Sequence, residues 1–349
     1  MTLLQKAYPT KAKVKPALIA FFDTKPYDEV AFSKHLPKNF QLHFLESRLG
    51  PKTAKLADGH SIVCAFVNDD LSAPVLKQLK ERGVELIALR CAGYNNIDIK
   101  TAAKLGISVV RVPAYSPHAV AEHAVALILT LNRKTHRAFN RVREGNFSLS
   151  GLVGFDLHGR TIGIVGLGKI GHSLAKIMHG FGMQILAYDT FHDEGFANQY
   201  NLKYVELDEL LRKSDIISLH TPLLPETYHM INNERISIMK RGIIIINTSR
   251  GGLVDTRALI KGLKSGQIGA AGLDVYEEES AYFFEDRSAE LITDDTLARL
   301  MTFHNVLITS HQAFLTVEAL DNIAQTTLAN IDEYYRGLRG KQLTNAVSN

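Results

Sequence analysis

Short runs of consecutive apolar residues alternate with stretches whose apolar positions fall three and four apart, and this pattern fills most of the 349-residue chain. In the first third, ALIAFF (17–22), QLHFLE (41–46), SIVCAFV (61–67), ELIALRC (85–91) and SVVRV (108–112) predict buried strands. Between them, LSAPVLKQLKERG (71–83) sets Val75, Leu76 and Leu79 at helical spacing. A strand is apolar at every position when helices cover both faces of a parallel sheet, so this part predicts one open α/β domain. At Pro113 the rhythm changes. The Ala-rich stretch 119–147 has no Gly or Pro before Gly145 and predicts a single helix, longer than sheet covering needs and suited to a domain connector or subunit contact. A second series follows, with strands at TIGIVG (161–166), QILAYD (184–189), DIISLH (215–220), GIIIIN (242–247), AAGLDV (270–275) and NVLITS (305–310). The stretch 316–337 carries Val317, Leu320, Ile323, Leu328 and Ile331 and predicts an amphipathic helix returning to the first domain.

The length suits two domains at roughly 100–200 residues each. Hydrophobic residues make up 46% and charged residues 22%, which excludes a disordered chain. Lys and Arg exceed Asp and Glu by 40 to 36 without a basic block, so nothing points to nucleic acid. No apolar run approaches the roughly 20 residues that span a bilayer. The N-terminal MTLLQKAYPTKAKVKPALIAFFD lacks the long apolar stretch and small-residue cleavage site of a signal peptide. Cys64 and Cys91 both sit in apolar runs and read as buried free thiols. These features together predict a cytoplasmic protein.

The strongest local motif is GLGKIG. Gly166, Gly168 and Gly171 directly follow the strand TIGIV and open the helical stretch KIGHSLAKIMHGFG. The first glycine permits a tight turn, the second lets a pyrophosphate approach the backbone, and the third lets helix and strand pack closely. Asp189 ends the next strand, 18 residues after Gly171, where a carboxylate binds adenine-ribose hydroxyls. It is followed by Thr190 and Phe191 rather than Arg, so a 2′-phosphate would be repelled and NAD is expected over NADP. Ligands of an open α/β sheet bind beyond the carboxyl ends of its strands. Those ends deliver HTPLLPET with His220, NTSRGG with Arg250, DVYEEE with Glu277, Glu278 and Glu279, and SHQAF with His311. Arginine, carboxylate and histidine together suit hydride transfer coupled to proton transfer on an anionic substrate. Any of these has a plainer reading: Arg250 as a surface ion-pair residue, the glutamates as a solvated loop. Position alone leaves both His220 and His311 as candidates for the acid.

Taken together, GLGKIGHSLA, the strand ending at Asp189, NTSRGGLVDT, GLDVYEEE, SHQAFLT, RCAGYNNID (90–98) and VPAYSPHAVAEHA (112–124) resemble the D-2-hydroxyacid dehydrogenases over nearly the whole chain. RCAGYNNID, FFEDRS (283–288) and HQAFLT (311–316) are most similar to the family's fermentative D-lactate dehydrogenase branch in bacteria. The resemblance implies two Rossmann-like or flavodoxin-like parallel-sheet domains: a discontinuous substrate domain, 1–113 with 314–349, and an inserted NAD-binding Rossmann domain, 114–313. It implies reversible NADH-dependent reduction of pyruvate to D-lactate. His311 would be the general acid and base, Glu279 the carboxylate that holds it, and Arg250 the clamp on the substrate carboxylate. The amides of Ala92 and Gly93 would bind that carboxylate too, and Tyr115 and Phe314 would border the substrate methyl. Lys169, Ile170, Thr221, Pro222, Thr227, Thr248, Ser249, Arg250 and Asp274 match the family's remaining cofactor contacts. No metal is implied. The rivals are the same chemistry on glyoxylate, hydroxypyruvate or phenylpyruvate, and a non-catalytic NAD(H)-sensing relative. The Ala/Val/Leu run of 119–147 is expected to hold a homodimer or homotetramer together. The 280–303 stretch is longer than in several branches.

Overall fold

The computed structural model describes residues 16–347. Residues 1–15, most of the stretch read against a signal peptide, and the last two residues of the 314–349 segment lie outside them. The chain divides into two compact units, one of residues up to Tyr115 together with those from Thr316 onward, the other Ser116–Leu315.

In the first unit, β1 (Ala17–Phe21), β2 (Phe40–Phe44), β3 (Ile62–Ala65), β4 (Leu86–Leu89) and β5 (Ser108–Val110) form a parallel sheet in the order β2-β1-β3-β4-β5. This is the flavodoxin-like order, whose switch point lies between β1 and β3. β3 and β4 are buried at every position, as their continuous apolar runs predict. The helix Ala73–Glu81 buries Val75, Leu76 and Leu79. The helix Val317–Tyr335 packs on the helix Pro26–His35 and on β4. Its buried stripe begins at Ala319 rather than Val317, which is 72% exposed: the Thr316 hydroxyl accepts the Ala319 N–H, and the first turn faces solvent. The C-terminal residues cover the open edge of β5, where Ala346 bridges Val110 antiparallel and the Val347 N–H donates to Val109 O.

In the second unit, β6 (Thr161–Val165), β7 (Gln184–Tyr188), β8 (Leu202–Tyr204), β9 (Ile216–Leu219), β10 (Ile243–Asn247), β11 (Ile268–Leu273) and β12 (Val306–Ile308) pair in parallel in the order β12-β11-β10-β9-β6-β7-β8. That is the dinucleotide-binding order, with its reversal between β6 and β9. β8 had no counterpart among the predicted strands. It is a three-residue edge strand behind the left-handed Asn201, too short to form an apolar run.

The stretch 119–147 corrects its prediction: it forms two helices. Pro117–Arg133 buries Ala121, Ala124, Leu127, Ile128 and Leu131 against the sheet and the helix Lys169–Gly180. At Lys134 the backbone turns left-handed (φ 51°), and Thr135–Arg143 runs on with no buried residue. Residues 153–155 return to the end of the first helix. The Asn132 amide donates to Phe155 O at 2.7 Å, its oxygen accepts Phe155 N–H at 2.9 Å, and the Lys134 ammonium donates to Val153 O. A Cβ on Gly154 would stand 2.5 Å from the Asn132 carbonyl, so only glycine fits there. Most of the Ala/Val/Leu run is therefore core of its own unit, with Ala126 left exposed.

Candidate active site

The loop after β6 shows why its glycines are spaced as they are. Gly166 has φ 92°, and a Cβ there would lie 2.7 Å from the His220 carbonyl carbon and the Thr221 nitrogen. A Cβ on Gly171 would lie 2.2 Å from Gly166 O, so helix and strand touch through backbone alone. At Gly168, the N-cap of the helix that begins with Lys169 and Ile170, a Cβ would meet open space. Asp189, just past β7, accepts the Leu167 N–H on one oxygen and the Phe191 N–H on the other, bracing the loop from the side.

Beyond β9 and β10 the chain holds itself with its own hydroxyls. Thr227 donates to Pro222 O at 2.7 Å and Ser249 to Thr221 O at 2.7 Å, while the Arg250 guanidinium donates to Ser249 O at 2.7 Å. The hydroxyl of buried Thr248 has no hydrogen-bond partner among the described residues. The backbone at Gly251 presses on the next loop so closely that a Cβ would lie 2.1 Å from the Tyr276 carbonyl carbon.

Asp274, fully buried past β11, organises the last turn. Its carboxylate accepts Thr309 Oγ1 (2.6 Å), Gln312 N (2.8 Å) and Ala313 N (2.9 Å), with His123 Nε2 at 3.4 Å. Burial pushes its acidity down, but these donors and the nearby His311 outweigh it and hold the carboxyl below its usual range. The turn places His311 at φ 51° with its N–H on Asp274 O, and His311 Nδ1 stands 2.8 Å from Glu279 Oε1. Glu279 Oε2 accepts the Tyr276 N–H. An ionised carboxylate can only accept, so Nδ1 carries a proton and Nε2 is the atom left for chemistry. Phe314 is buried in the same turn. The glutamate triplet separates: Glu277 bonds His229 and Thr256, Glu279 bonds His311, and Glu278 is exposed.

In the other unit, Ala92 and Gly93 form the half-buried turn after β4, and the Tyr115 carbonyl accepts the Asn322 amide.

The sequence profile described as "D-isomer specific 2-hydroxyacid dehydrogenase, NAD binding domain" matches residues 125–313. The chain belongs to that family. A 2-hydroxyacid dehydrogenase homolog of Haemophilus influenzae is 53% identical over 333 residues, covering 94% of this chain and 98% of the relative. The D-lactate dehydrogenase of Escherichia coli is 51% identical over 324 residues, covering 91% and 97%. The apo-structure of the Escherichia coli D-lactate dehydrogenase superimposes with a TM-score of 0.85 at 47% identity, covering 95% and 99%. The Aquifex aeolicus D-lactate dehydrogenase complexed with NAD and lactic acid gives 0.84 at 35% identity, covering 95% and 99%.

The protein is thus an NAD-dependent 2-hydroxyacid dehydrogenase, and the second unit fits the dinucleotide. Open space at Gly168, a 12-residue helix whose N-terminus points there, and the unpartnered buried hydroxyl of Thr248 suit a pyrophosphate-bearing ligand at the β6/β9 switch point. His220, the rival acid, lies under the glycine loop with Nε2 on Ser218 Oγ at 2.8 Å. Loss of solvation pushes its imidazole down to about 4, so at neutral pH the ring is neutral and cannot act as an imidazolium acid. Two histidines outside the predicted site share in its framework. His123, on the helix Pro117–Arg133, reaches Asp274 and Thr309, and His229 pairs with Glu277. Only the histidine within AEHA signalled the first, and nothing marked the second. The 280–303 stretch is tied down: Tyr276 donates to Asp294 at 2.6 Å, the Asp294 N–H donates to Tyr282 Oη at 3.0 Å, and Phe283, Leu297 and Leu300 join the core. Among the described residues no group of three or more His, Cys, Asp or Glu is arranged to hold a metal, and no helix is long and apolar enough to cross a membrane.

Proposed function

We propose that this enzyme reduces pyruvate to D-lactate with NADH, reversibly: pyruvate + NADH + H⁺ gives D-lactate + NAD⁺. The observation that carries the reading is the Glu279–His311 pair, an imidazole with one nitrogen held by a carboxylate and the other available. When bound, NADH supplies the hydride. His311 Nε2 protonates the carbonyl oxygen as the 2-carbon is reduced, and Glu279 stabilises the charged ring that donates. Arg250 takes the substrate carboxylate through its planar fork, which lysine cannot reproduce, and polarises the carbonyl. The Ala92 and Gly93 amides bind the same carboxylate, and Tyr115 and Phe314 border the methyl group. Asp189 takes the adenine-ribose hydroxyls. The glycine loop with Lys169 and Ile170, together with Thr221, Pro222, Thr227, Thr248, Ser249, Arg250 and Asp274, forms the rest of the cofactor site.

In this reading residues 1–113 with 314–349 are the substrate domain and 114–313 the coenzyme domain. Two relatives named D-lactate dehydrogenase at 51% identity support the choice of substrate. The test is NADH oxidation with pyruvate against glyoxylate, hydroxypyruvate and phenylpyruvate, with chiral analysis of the product. The highest kcat/KM on pyruvate with a D product is expected. A bulkier 2-keto acid in first place would keep the chemistry and overturn the substrate.

The buried thiols Cys64 and Cys91, neither of them in a disulfide, suit a reducing cytoplasm. We further propose a homo-oligomer, formed through Phe139, Val142, Phe147, Leu149 and Val153. These are 51–83% exposed over one short stretch, and large apolar side chains gather on a surface where something covers them. Sedimentation as a monomer would overturn this.

A further inference from the structure

The turn that follows β4 is gripped by its carbonyls. The Val112 N–H donates to Cys91 O at 3.2 Å, the Arg111 guanidinium donates from Nη1 to Ala92 O at 2.7 Å, and the Cys91 thiol donates to Gly93 O at 3.2 Å. Three successive carbonyls are engaged, while among the described residues the N–H groups of Ala92 and Gly93 donate to nothing. The peptide bonds of this turn are trans, and a trans peptide is planar with its C=O and N–H pointing opposite ways. Holding Cys91 O therefore aims the Ala92 N–H away from Val112, and holding Ala92 O aims the Gly93 N–H away from Arg111.

Arg111 is itself secured. Its N–H donates to Asn345 O at 3.1 Å, its carbonyl accepts the buried Asn330 amide at 2.9 Å, and its guanidinium lies over the Tyr94 ring, 5.1 Å from the centroid. A cation bonded to a peptide oxygen also draws charge from the far N–H and makes it a stronger donor.

We propose that Arg111 is a positioning residue for the substrate carboxylate: it fixes the Ala92–Gly93 peptide plane and polarises the Gly93 N–H that meets the ligand. The inference rests on the reading of the Ala92 and Gly93 amides as carboxylate donors. Because a carboxylate contact is alike in ground and transition states, loss of Arg111 acts on KM and leaves kcat within about twofold.

The test uses the full-length enzyme with Arg111→Met, Arg111→Gln and Arg111→Lys, which remove donor and charge, keep a neutral donor, and keep both. Pyruvate kinetics, NADH affinity, and the affinity of oxamate, a carboxylate-bearing analogue, are measured in parallel. The Gly93 amide is followed by ¹⁵N–¹H spectroscopy in glycine-labelled protein. Arg111→Met is expected to raise KM and the oxamate Kd about tenfold, the scale of one hydrogen bond to a charged group. It should leave NADH affinity unchanged and move the Gly93 resonance. Arg111→Lys recovers most of the loss and Arg111→Gln part of it; these two carry the comparison if the methionine variant does not fold. Variants that leave the Gly93 resonance and oxamate affinity at wild-type values overturn the proposal, as does a loss of kcat and NADH affinity in step with KM. A Gly93 amide indifferent to oxamate in the wild-type enzyme would instead overturn the carboxylate-turn reading beneath it.

Discussion

Glu277 and Glu279 stand two positions apart, and each bonds a histidine, at 2.6 Å to His229 and at 2.8 Å to His311. The chemistry of the two pairs is the same, but their surroundings differ. Glu279 gives its second oxygen to one backbone N–H in its own loop. Glu277 gives its second oxygen to both the N–H and the hydroxyl of Thr256, the first residue of a helix, and His229 bonds Gly252 O through its own N–H. One pair fastens the loop that follows Arg250 from two directions. The other holds a ring past the end of β12, at the carboxyl edge of the sheet. A histidine beside a glutamate is therefore not sufficient by itself for proton transfer; the role proposed for His311 rests also on where its ring stands, beyond β12 at the carboxyl edge of the sheet.

Replacing the two histidines separates these roles most widely. His311→Gln is expected to lower kcat by about 10²–10⁴, the usual worth of a positioned acid, with NADH binding retained. His229→Gln keeps a donor for Glu277 and should lower kcat/KM by less than about fivefold, the scale of one weakened neutral hydrogen bond. Steady-state kinetics with fluorescence titration of NADH checks both. Equal losses would erase the distinction.

His220 sharpens the contrast, since no carboxylate bonds it and its half-buried ring is held neutral. Its folded-state value, pushed down to about 4, lies below the roughly 6.5 of an unfolded chain. Above that upper value neither state binds the proton and stability is whole. As the pH falls through the window the unfolded chain takes up a proton the folded one refuses, and stability declines by up to roughly 3 kcal/mol by its lower end. The difference in unfolding free energy between wild type and His220→Asn, followed from pH 7.5 to pH 4.5, should therefore shrink with acid. A constant difference would mean that His220 is solvated.

Much of this was legible in the chain. Buried strands such as β3, β4, β9 and β10 leave continuous apolar runs, the half-buried β2 and β12 are apolar enough to stand out with them, and the glycine spacing states its own reasons. The break at Lys134 left no mark, because a lysine with positive φ is held there by residues 153–155, which close on Asn132 from outside the helix. The Asp274 hub was invisible for a similar reason: its donors come from positions 123, 309, 312 and 313, which only the sheet order gathers. Bonding supports the choice between His220 and His311, where strand-end position left both open.

The glutamate triplet is where local sequence says least, since three identical side chains differ only in what the fold brings to each. Glu278 is exposed, so Glu278→Gln should change stability by less than about 0.5 kcal/mol. Glu277→Gln turns its NH₂ either to the Thr256 N–H, donor against donor, or to His229, which must then change tautomer and accept. It also removes the carboxylate charge, and should cost about 1–3 kcal/mol. Urea unfolding of the two variants measures this directly, and neither substitution touches the Glu279–His311 bond. Should Glu278→Gln prove the more damaging, the carboxylates are in a different register. The identification of Glu279 as the partner of His311 would fall with it.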